Sequence, residues 1–329
     1  MVYNPTGSVN VHIDQVLTQI SLGWPNNGLV GEQLFPTVGV NKQSDKYYVF
    51  GREAWLVEND VRAPGTQANE VTGLTLSTDT YYAQEHSLQH AVTDEERWNA
   101  DSPLSPDRDA AELVTSKIWL GRELAMKTLV TTASNYNSAN TVTLAGTDRW
   151  EDYVNSDPIS DMRTGKAAVH SLIFVEPNVA IIPYQVMTVL EDHPDFIERI
   201  KYSERGIVTS ELIAAVLGFE KIIVPGVGIA TSLLGQTITA GYLWGKDVIL
   251  AYVPPRPGLK VPAFAYEFAW RGNPGGQIQY VDRWREEQRK SDLVRVCRYY
   301  DLKFVAVGDG GVGTAAKAIG GYLIKTAIT

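Results

Sequence analysis

The sequence predicts an α+β protein in which a loose N-terminal arm and a long β ribbon precede a long helix, an α/β lobe and an antiparallel sheet. Three observations carry this prediction. Residues 38–91 hold two runs of β-forming residues separated by a polar stretch. Residues 105–132 keep a helical apolar period over an unusual length. Residues 263–307 alternate apolar and polar side chains, as the strands of a half-buried sheet do.

The composition restricts the class of protein. The chain has 329 residues, 44% of them hydrophobic, which is enough for more than one core. Its formal net charge of −9 argues against a surface built to grip nucleic acid broadly, because phosphates require a local excess of Lys and Arg. The single Cys297 excludes an intramolecular disulfide, and its apolar surroundings predict a buried thiol. The first residues lack the pattern of a signal peptide, and no apolar run predicts a membrane span.

The N-terminal third predicts projections rather than a core. Residues 1–34 scatter apolar side chains without a period, which predicts an arm lying along another surface. Residues 46–57 and 74–82 predict two strands of about 12 residues, each roughly 40 Å long, joined by a polar tip at 59–70. An isolated two-stranded ribbon is marginally stable in water. The ribbon is therefore expected either to lie on a partner surface or to pack within its own domain, and the pattern favours neither.

The middle of the chain predicts one long helix followed by an α/β lobe. Ser105, Pro106 and Asp107 form a helix start, with an N-cap, a proline at the first position and an acid in the first turn. Short strands and helices then alternate. The predicted strands are 172–175, 179–182, 221–225 and a hairpin of 242–244 with 248–253, and the predicted helices are 183–190 and 212–217.

The last third predicts the sheet and a charged tip. Strands are expected at 263–270, 277–285 and 293–307. The run 283–291 predicts a solvated hairpin tip with internal ion pairs, and its alternative is a basic patch for nucleic acid. The glycine-rich stretch 308–313 resembles a phosphate loop, but a threonine follows where that loop needs lysine. A glycine-rich connection to a terminal helix is the favoured interpretation.

Residues with catalytic or metal chemistry form no recognisable set. His86 and His90 stand four apart, but no glutamate follows the first of them, as a zinc-protease helix would need. Exposed polar histidines are therefore expected. No G-x-S-x-G elbow occurs, and Cys297 lacks a catalytic context. The sequence predicts no cofactor and no metal, which argues weakly against an enzyme.

Residues 178–183 with the helix after them, residues 242–248, and the helix after Ser105 resemble the major capsid proteins of tailed bacteriophages, which have the Hong Kong ninety-seven fold. Within that group the chain looks like the major capsid protein E family. The likeness is one of element order over nearly the whole chain. It implies a structural protein without enzymatic activity, whose copies assemble into pentamers and hexamers of an icosahedral shell enclosing double-stranded DNA.

The same resemblance implies a division of the chain. Its segments would be an N-terminal arm (1–34), an extended loop over the neighbouring subunit (35–91), a peripheral domain (92–165 and 263–303) with spine helix 105–132, and an axial domain (166–262 and 304–329) that includes the C-terminal tail. Candidate intersubunit contacts lie in the loop: Tyr47, Phe50, Trp55, Arg62, Glu70 and Tyr82. Some members crosslink through Lys and Asn side chains; Lys42, Lys46 and Asn59 lie in the loop, with nothing to pair them.

The resemblance also implies partners and a location. The partners would be further copies of the chain, a separate scaffolding protein because no long helical prodomain precedes the arm, a portal, decoration proteins, and packaged DNA through weak nonspecific contact. The location would be the virion, after assembly in the host cytoplasm. Two alternatives remain open: a shell protein of an encapsulin-like cellular compartment, and an α/β enzyme with an unrecognised site.

Overall fold

Two sheets joined by one long helix organise the protein. The computed structural model describes residues 12–13, 28–49, 57, 60–62, 64–65, 67–68, 77–101, 104–201, 209–230, 232, 237, 239–258, 261, 263–273, 276–308 and 317–329. Several sequence-based predictions lie outside these residues, namely those for Phe50, Trp55, Asn59 and Glu70, most of the ribbon, and the glycine-rich residues 309–316.

The helices occupy the middle of the chain. They are α1 (Gly31–Leu34), α2 (Asp94–Asn99), α3 (Pro106–Thr131), α4 (Pro158–Ile173), α5 (Tyr184–Glu191), α6 (Pro194–Ile200) and α7 (Ser210–Leu217). Short 3-10 turns lie at Ala133–Asn135, Ser138–Asn140, Gly146–Asp148 and Glu287–Arg289.

The strands fall into two large sheets and three short pairs. They are β1 (His12–Ile13), β2 (Thr37–Val40), β3 (Ser44–Val49), β4 (Ser77–Tyr82), β5 (Gln84–Thr93), β6 (Thr141–Thr143), β7 (Val179–Ile181), β8 (Lys221–Ile223), β9 (Gly228–Ala230), β10 (Ala240–Tyr242), β11 (Val248–Ala251), β12 (Ala265–Trp270), β13 (Gln279–Glu286), β14 (Ser291–Phe304), β15 (Val307–Gly308), β16 (Lys317–Ala318) and β17 (Gly321–Lys325).

The first sheet is built around β14. Its order is β1-β13-β14-β12-β2, and β5 pairs antiparallel along the other edge of β14. In this register Val296 stands opposite Val281 on one side and Leu88 on the other. The three strands predicted after residue 263 are confirmed. Consecutive residues are buried along most of β12 and the first half of β14, so this part of the sheet is covered on both faces and not on one.

The second sheet has the order β6-β17-β11-β7-β8. Helices α4 to α7 form a layer packed on this sheet, which we call the helical layer. The close fit of α4 is visible at Gly165, where an added Cβ would lie 2.7 Å from the ring of Tyr322. The predicted helices at 183–190 and 212–217 are confirmed as α5 and α7.

Helix α3 connects the two sheets, and its predicted bounds are confirmed to within one residue at each end. Its 26 residues span about 39 Å. Val114 and Ile118 pack on the first sheet, whereas Met126 and Val130 pack in a second core shared with β7 and β11. A single helix thus packs against both sheets.

Two predicted elements of the lobe are wrong. Residues 172–175 are not a strand, because Val169 and Ile173 continue the buried face of α4 to the end of that helix. The predicted hairpin around Gly245 is also absent: β10 pairs with β9, and β11 lies between β17 and β7. A short apolar run does not specify its strand partner, and here distant strands supply it.

The predicted terminal helix is wrong as well. Residues after 316 form β16 and β17, and β17 pairs antiparallel with β11 and parallel with β6. Gly321 brings the backbone so close to Phe264 that an added Cβ would lie 2.4 Å from its ring. This close packing against a neighbouring core decides the conformation, which local propensity does not.

Candidate intersubunit surface

The base of the ribbon is clamped on the first sheet. Strands β3 and β4 pair antiparallel, from Ser44 opposite Tyr82 to Val49 opposite Ser77. The buried rings of Tyr47 and Tyr81 pack on Phe268 with centroids 5.1 and 4.8 Å apart. Burial raises the pKa of Tyr47, and its hydroxyl donates to the Asp79 carboxylate 2.9 Å away. The base of the ribbon is therefore fixed on the subunit body.

Of the candidate contact residues, the structure describes Tyr47, Arg62 and Tyr82. Tyr47 is 2% exposed, so it holds the ribbon base rather than offering a surface to a neighbour. Tyr82 and Arg62 are exposed. Two further residues of the same segment, Val57 and Val61, are 97% and 75% exposed. Burial of such apolar side chains by a partner would be favourable.

Glu123 on α3 fixes the end of the predicted arm. This carboxylate is 2% exposed and accepts hydrogen bonds from the backbone N–H groups of Val30 and Gly31, at 2.9 to 3.0 Å. It also accepts from the indole of Trp244 at 2.8 Å. Leu34 is fully buried next to these contacts. The last residues of segment 1–34 are thus part of the subunit body.

A buried ion network lies where α3 crosses the first sheet. Glu267 on β12 is fully buried and accepts from Arg298 at 2.9 Å, from Arg122, and from the Thr37 hydroxyl at 2.9 Å. Burial alone would raise the pKa of Glu267, but the two guanidinium groups outweigh it and lower that pKa. The ring of Trp119 lies 4.7 and 4.9 Å from the two guanidinium carbons. The network ties α3, β2, β12 and β14 together.

Sequence reasoning missed both buried carboxylates. A signal was present in each case. Arg122 and Glu123 interrupt the apolar face of α3 between Ile118 and Met126, and Glu267 is the charged residue within a strand that is otherwise apolar. Charges inside an apolar pattern are expected to be paired, because an isolated buried charge is costly.

The charged hairpin tip has ion pairs within the run 283–291, as predicted, and others that join that run to carboxylates outside it. Arg283 pairs with Asp292 at 2.7 Å, and Arg285 pairs with Asp94 at 2.5 Å. Arg289 at the tip lies 3.5 Å from Glu286. These pairings place carboxylates against the arginines, so the alternative of a basic patch for nucleic acid loses its support.

The two histidines and the cysteine singled out in the sequence are two exposed rings on β5 and one buried thiol on β14. His86 and His90 lie on exposed positions of β5, and His86 stacks on Tyr300 with centroids 4.1 Å apart. Within the described residues, no three His, Cys, Asp or Glu side chains converge as metal ligands would. Cys297 is buried as predicted, and desolvation raises the pKa of its thiol to about 12.

Ser156, His193 and Asp195 stand in the order of a catalytic triad, but their hydrogen bonds run the other way. The Asp195 N–H donates to Nδ1 of His193 at 3.3 Å, so Nδ1 is the acceptor and Nε2 carries the proton. Nε2 therefore donates to the Ser156 oxygen at 3.1 Å, and that hydroxyl donates to the carbonyl of Asp152. A triad needs the opposite tautomer. The arrangement caps helix α6.

Among the described helices, none combines the length and apolarity that a bilayer crossing requires.

Curated relatives of the chain are phage proteins. It is 29% identical over 294 residues to the major capsid protein of Burkholderia phage BcepMu, covering 86% of this chain and 92% of that protein. It is 26% identical over 243 residues to the major capsid protein of Pseudomonas phage JBD67, covering 73% and 77%. No family model matches the chain, so the narrower placement in the major capsid protein E family remains a prediction.

Solved structures share the fold. A phage-related protein from Bordetella bronchiseptica RB50 superposes with a TM-score of 0.74 at 26% identity, covering 97% of this chain and 98% of that one. The capsid structure of cyanophage P-SCSP1u gives 0.57 at 8% identity over 89% and 86%. The virus-like particle from Pyrococcus furiosus gives 0.54 at 10% identity over 94% and 98%. The last two likenesses concern the fold alone. Together, these relatives and this architecture identify the chain as a homologue of phage major capsid proteins, with the phage capsid fold and a structural role in a capsid shell.

Proposed function

We propose that copies of this chain assemble into pentamers and hexamers of an icosahedral shell that encloses double-stranded DNA. The observation that carries the proposal is the ribbon. Its base is buried on Phe268, whereas Val57 and Val61 later in the same segment are 97% and 75% exposed. Exposed apolar side chains in a segment with an anchored base are accounted for when a neighbouring copy covers them, since burial of apolar surface is favourable.

The division of the chain follows the same proposal. Residues 35–91 would reach over the neighbour. Tyr82 and Arg62, which are exposed, would contact it, and Phe50, Trp55 and Glu70 are further candidates. Segments 92–165 and 263–303 would form the peripheral domain, and 166–262 with 304–329 the axial domain. The division is supported by β12, β13 and β14, which lie in the first sheet, and by β7, β8, β11 and β17, which lie in the second. Strand β6 also lies in the second sheet, although it belongs to segment 92–165. Many modest contacts repeated around each subunit then add up to a stable shell.

The charge of the protein supports weak binding to the packaged DNA. The net charge of −9 and the paired arginines of the first sheet leave little local excess of cations. We therefore propose nonspecific, weak DNA contact at the inner wall. A separate scaffolding protein, a portal and decoration proteins complete the proposed set of partners. Assembly would take place in the host cytoplasm, and the mature protein would reside in the virion.

The experiment is expression and purification of the full chain, examined at low and at high ionic strength by gradient sedimentation and electron microscopy. Closed shells or capsomer rings are expected. A chain that stays monomeric in both conditions at high concentration contradicts the proposal.

A cellular compartment shell is the second candidate, because a shared capsid fold does not by itself specify what the shell encloses. The two candidates differ in their contents. Particles purified from the native source would contain double-stranded DNA if the chain forms a virion, and a protein cargo if it forms a compartment. The sequence identity to two phage major capsid proteins favours the virion.

A further inference from the structure

Helix α4 ends on a residue that is poorly suited to its backbone conformation. Phe174 has φ 52° and ψ 24°, in the left-handed region, and its N–H donates to the His170 carbonyl at 2.8 Å. Helices commonly end this way on glycine, because a side chain is crowded there. In a bulky residue this conformation is a true outlier. Helix α7, in the same layer, ends at Gly218 with φ 69° in the usual manner.

The side chain of Phe174 is also exposed. Its surface is 56% accessible, and its ring meets the edge of His170 with centroids 6.3 Å apart. A strained aromatic side chain with more than half of its surface exposed points to a function outside the subunit.

The surroundings of Phe174 form a surface along α4. Arg163, Ala167 and His170 are exposed at intervals of three or four residues before it, so they share one helix face. A groove of about 380 Å³ runs beside them toward Leu217 at the end of α7. Arg163 gives the far end of this face a positive charge, whereas Glu176 in the groove is paired with Lys166 at 3.2 Å. The face is thus aromatic at one end and cationic at the other.

A second surface of the helical layer has the complementary chemistry. Helix α4 packs on α7, α7 packs on α6, and α6 packs on α5. Helix α7 therefore separates α4 from α5 and α6. Ile197 is exposed there, with Asp192 and Glu198 exposed nearby together with Arg199. Two different and complementary faces of one subunit are what a head-to-tail contact needs, and repetition of such a contact around an axis closes a ring.

We propose that Phe174 is the aromatic anchor of a head-to-tail contact between neighbouring copies, in which the α4 face of one copy meets the α5–α6 face of the next. This inference rests on the proposed shell function. It adds the surface, the residue and the reason for the strain: a second copy covers the ring that the left-handed backbone presents. Interface anchors are typically aromatic or arginine side chains, and this face carries both.

The test compares Phe174→Gly with Phe174→Tyr in the full chain. Glycine suits the left-handed conformation, so unassembled Phe174→Gly subunits are expected to unfold at the same or a higher urea concentration than the wild type. The protein concentration for half-maximal assembly is expected to rise by about ten-fold or more, because an anchor is lost. Phe174→Tyr keeps the ring and is expected to assemble as the wild type does. Normal assembly of Phe174→Gly overturns the inference.

A second variant tests the partner face. Ile197→Asn is expected to weaken assembly, and the double variant with Phe174→Gly is expected to be little worse than the more damaging single variant, because both remove the same contact. Strictly additive losses would show that the two faces do not meet, which overturns the proposed pairing. If the wild-type chain never assembles, the shell function itself fails, and that outcome is distinct from the others.

Discussion

The most informative single perturbation is Glu267→Gln. The amide keeps the volume of the side chain but removes the anion on which the Arg122 and Arg298 guanidinium groups depend. All three side chains are at most 5% exposed, so solvent cannot replace the lost charge. Breaking a buried ion pair by removing one partner costs about 3–5 kcal/mol. Because two guanidinium groups are left without their anion, we expect a loss toward the upper end of that range.

The assay is urea unfolding of unassembled subunits, followed by far-UV circular dichroism. The matched control is Glu286→Gln, whose partner Arg289 lies at the exposed hairpin tip, with side chains 37% and 65% exposed. Such exposed pairs contribute about 0–1 kcal/mol. A loss in Glu267→Gln that is no larger than in this control would refute the assignment of the network as a stabilising junction.

The pH dependence provides a second check on the same residue. The folded-state pKa of Glu267 is lowered below 4.5, so the stability due to its ionised form is fully present above 4.5 and is lost as the pH falls through the folded-state value. The difference in unfolding free energy between wild type and Glu267→Gln should therefore be constant between pH 6 and 8 and shrink in acid. A difference that grows in acid would contradict the direction of the pKa shift.

Three other expectations concern single positions. Gly121 lies on the exposed face of α3, and no heavy atom lies within 4 Å of an added Cβ, so Gly121→Ala should raise the unfolding free energy by about 0.5–1 kcal/mol. Gly165→Ala should lower the unfolding free energy, because the added Cβ would collide with Tyr322. Urea titration measures both changes, and changes of equal sign would be inconsistent with this packing. Burial lowers the pKa of His193 below 6.5, so the unfolding free energy should fall as the pH drops from 6.5 toward the folded-state pKa. His193→Asn should reduce this dependence on pH. An unchanged dependence would show that His193 is not the residue responsible. The thiol of Cys297, with a pKa of about 12, should not react with maleimide at pH 8 until urea unfolds the chain. Mass spectrometry after a brief reaction measures the modified fraction. Modification of the folded protein would contradict this expectation.

The sequence alone determined the elements whose signals are local. Ser105 and Pro106 indicate the start of α3, and an apolar period that continues to Thr131 indicates its length. The strands after residue 263 are marked by alternating side chains, and the tip between β13 and β14 by its mixture of charges. These patterns identify the type of each element, and that information lies within a few neighbouring residues.

Only the tertiary structure decided how those elements pair and which charges they bury. The apolar run ending at Phe174 could be strand or helix, and packing of Ile173 in the core made it the end of α4. Residues 321–325 became a strand because β11 and β6 offer them partners on both sides. Glu267 is buried because residues 31 and 145 positions away in sequence bring their guanidinium groups to it. Such choices depend on contacts between segments far apart in the chain, which no local pattern encodes.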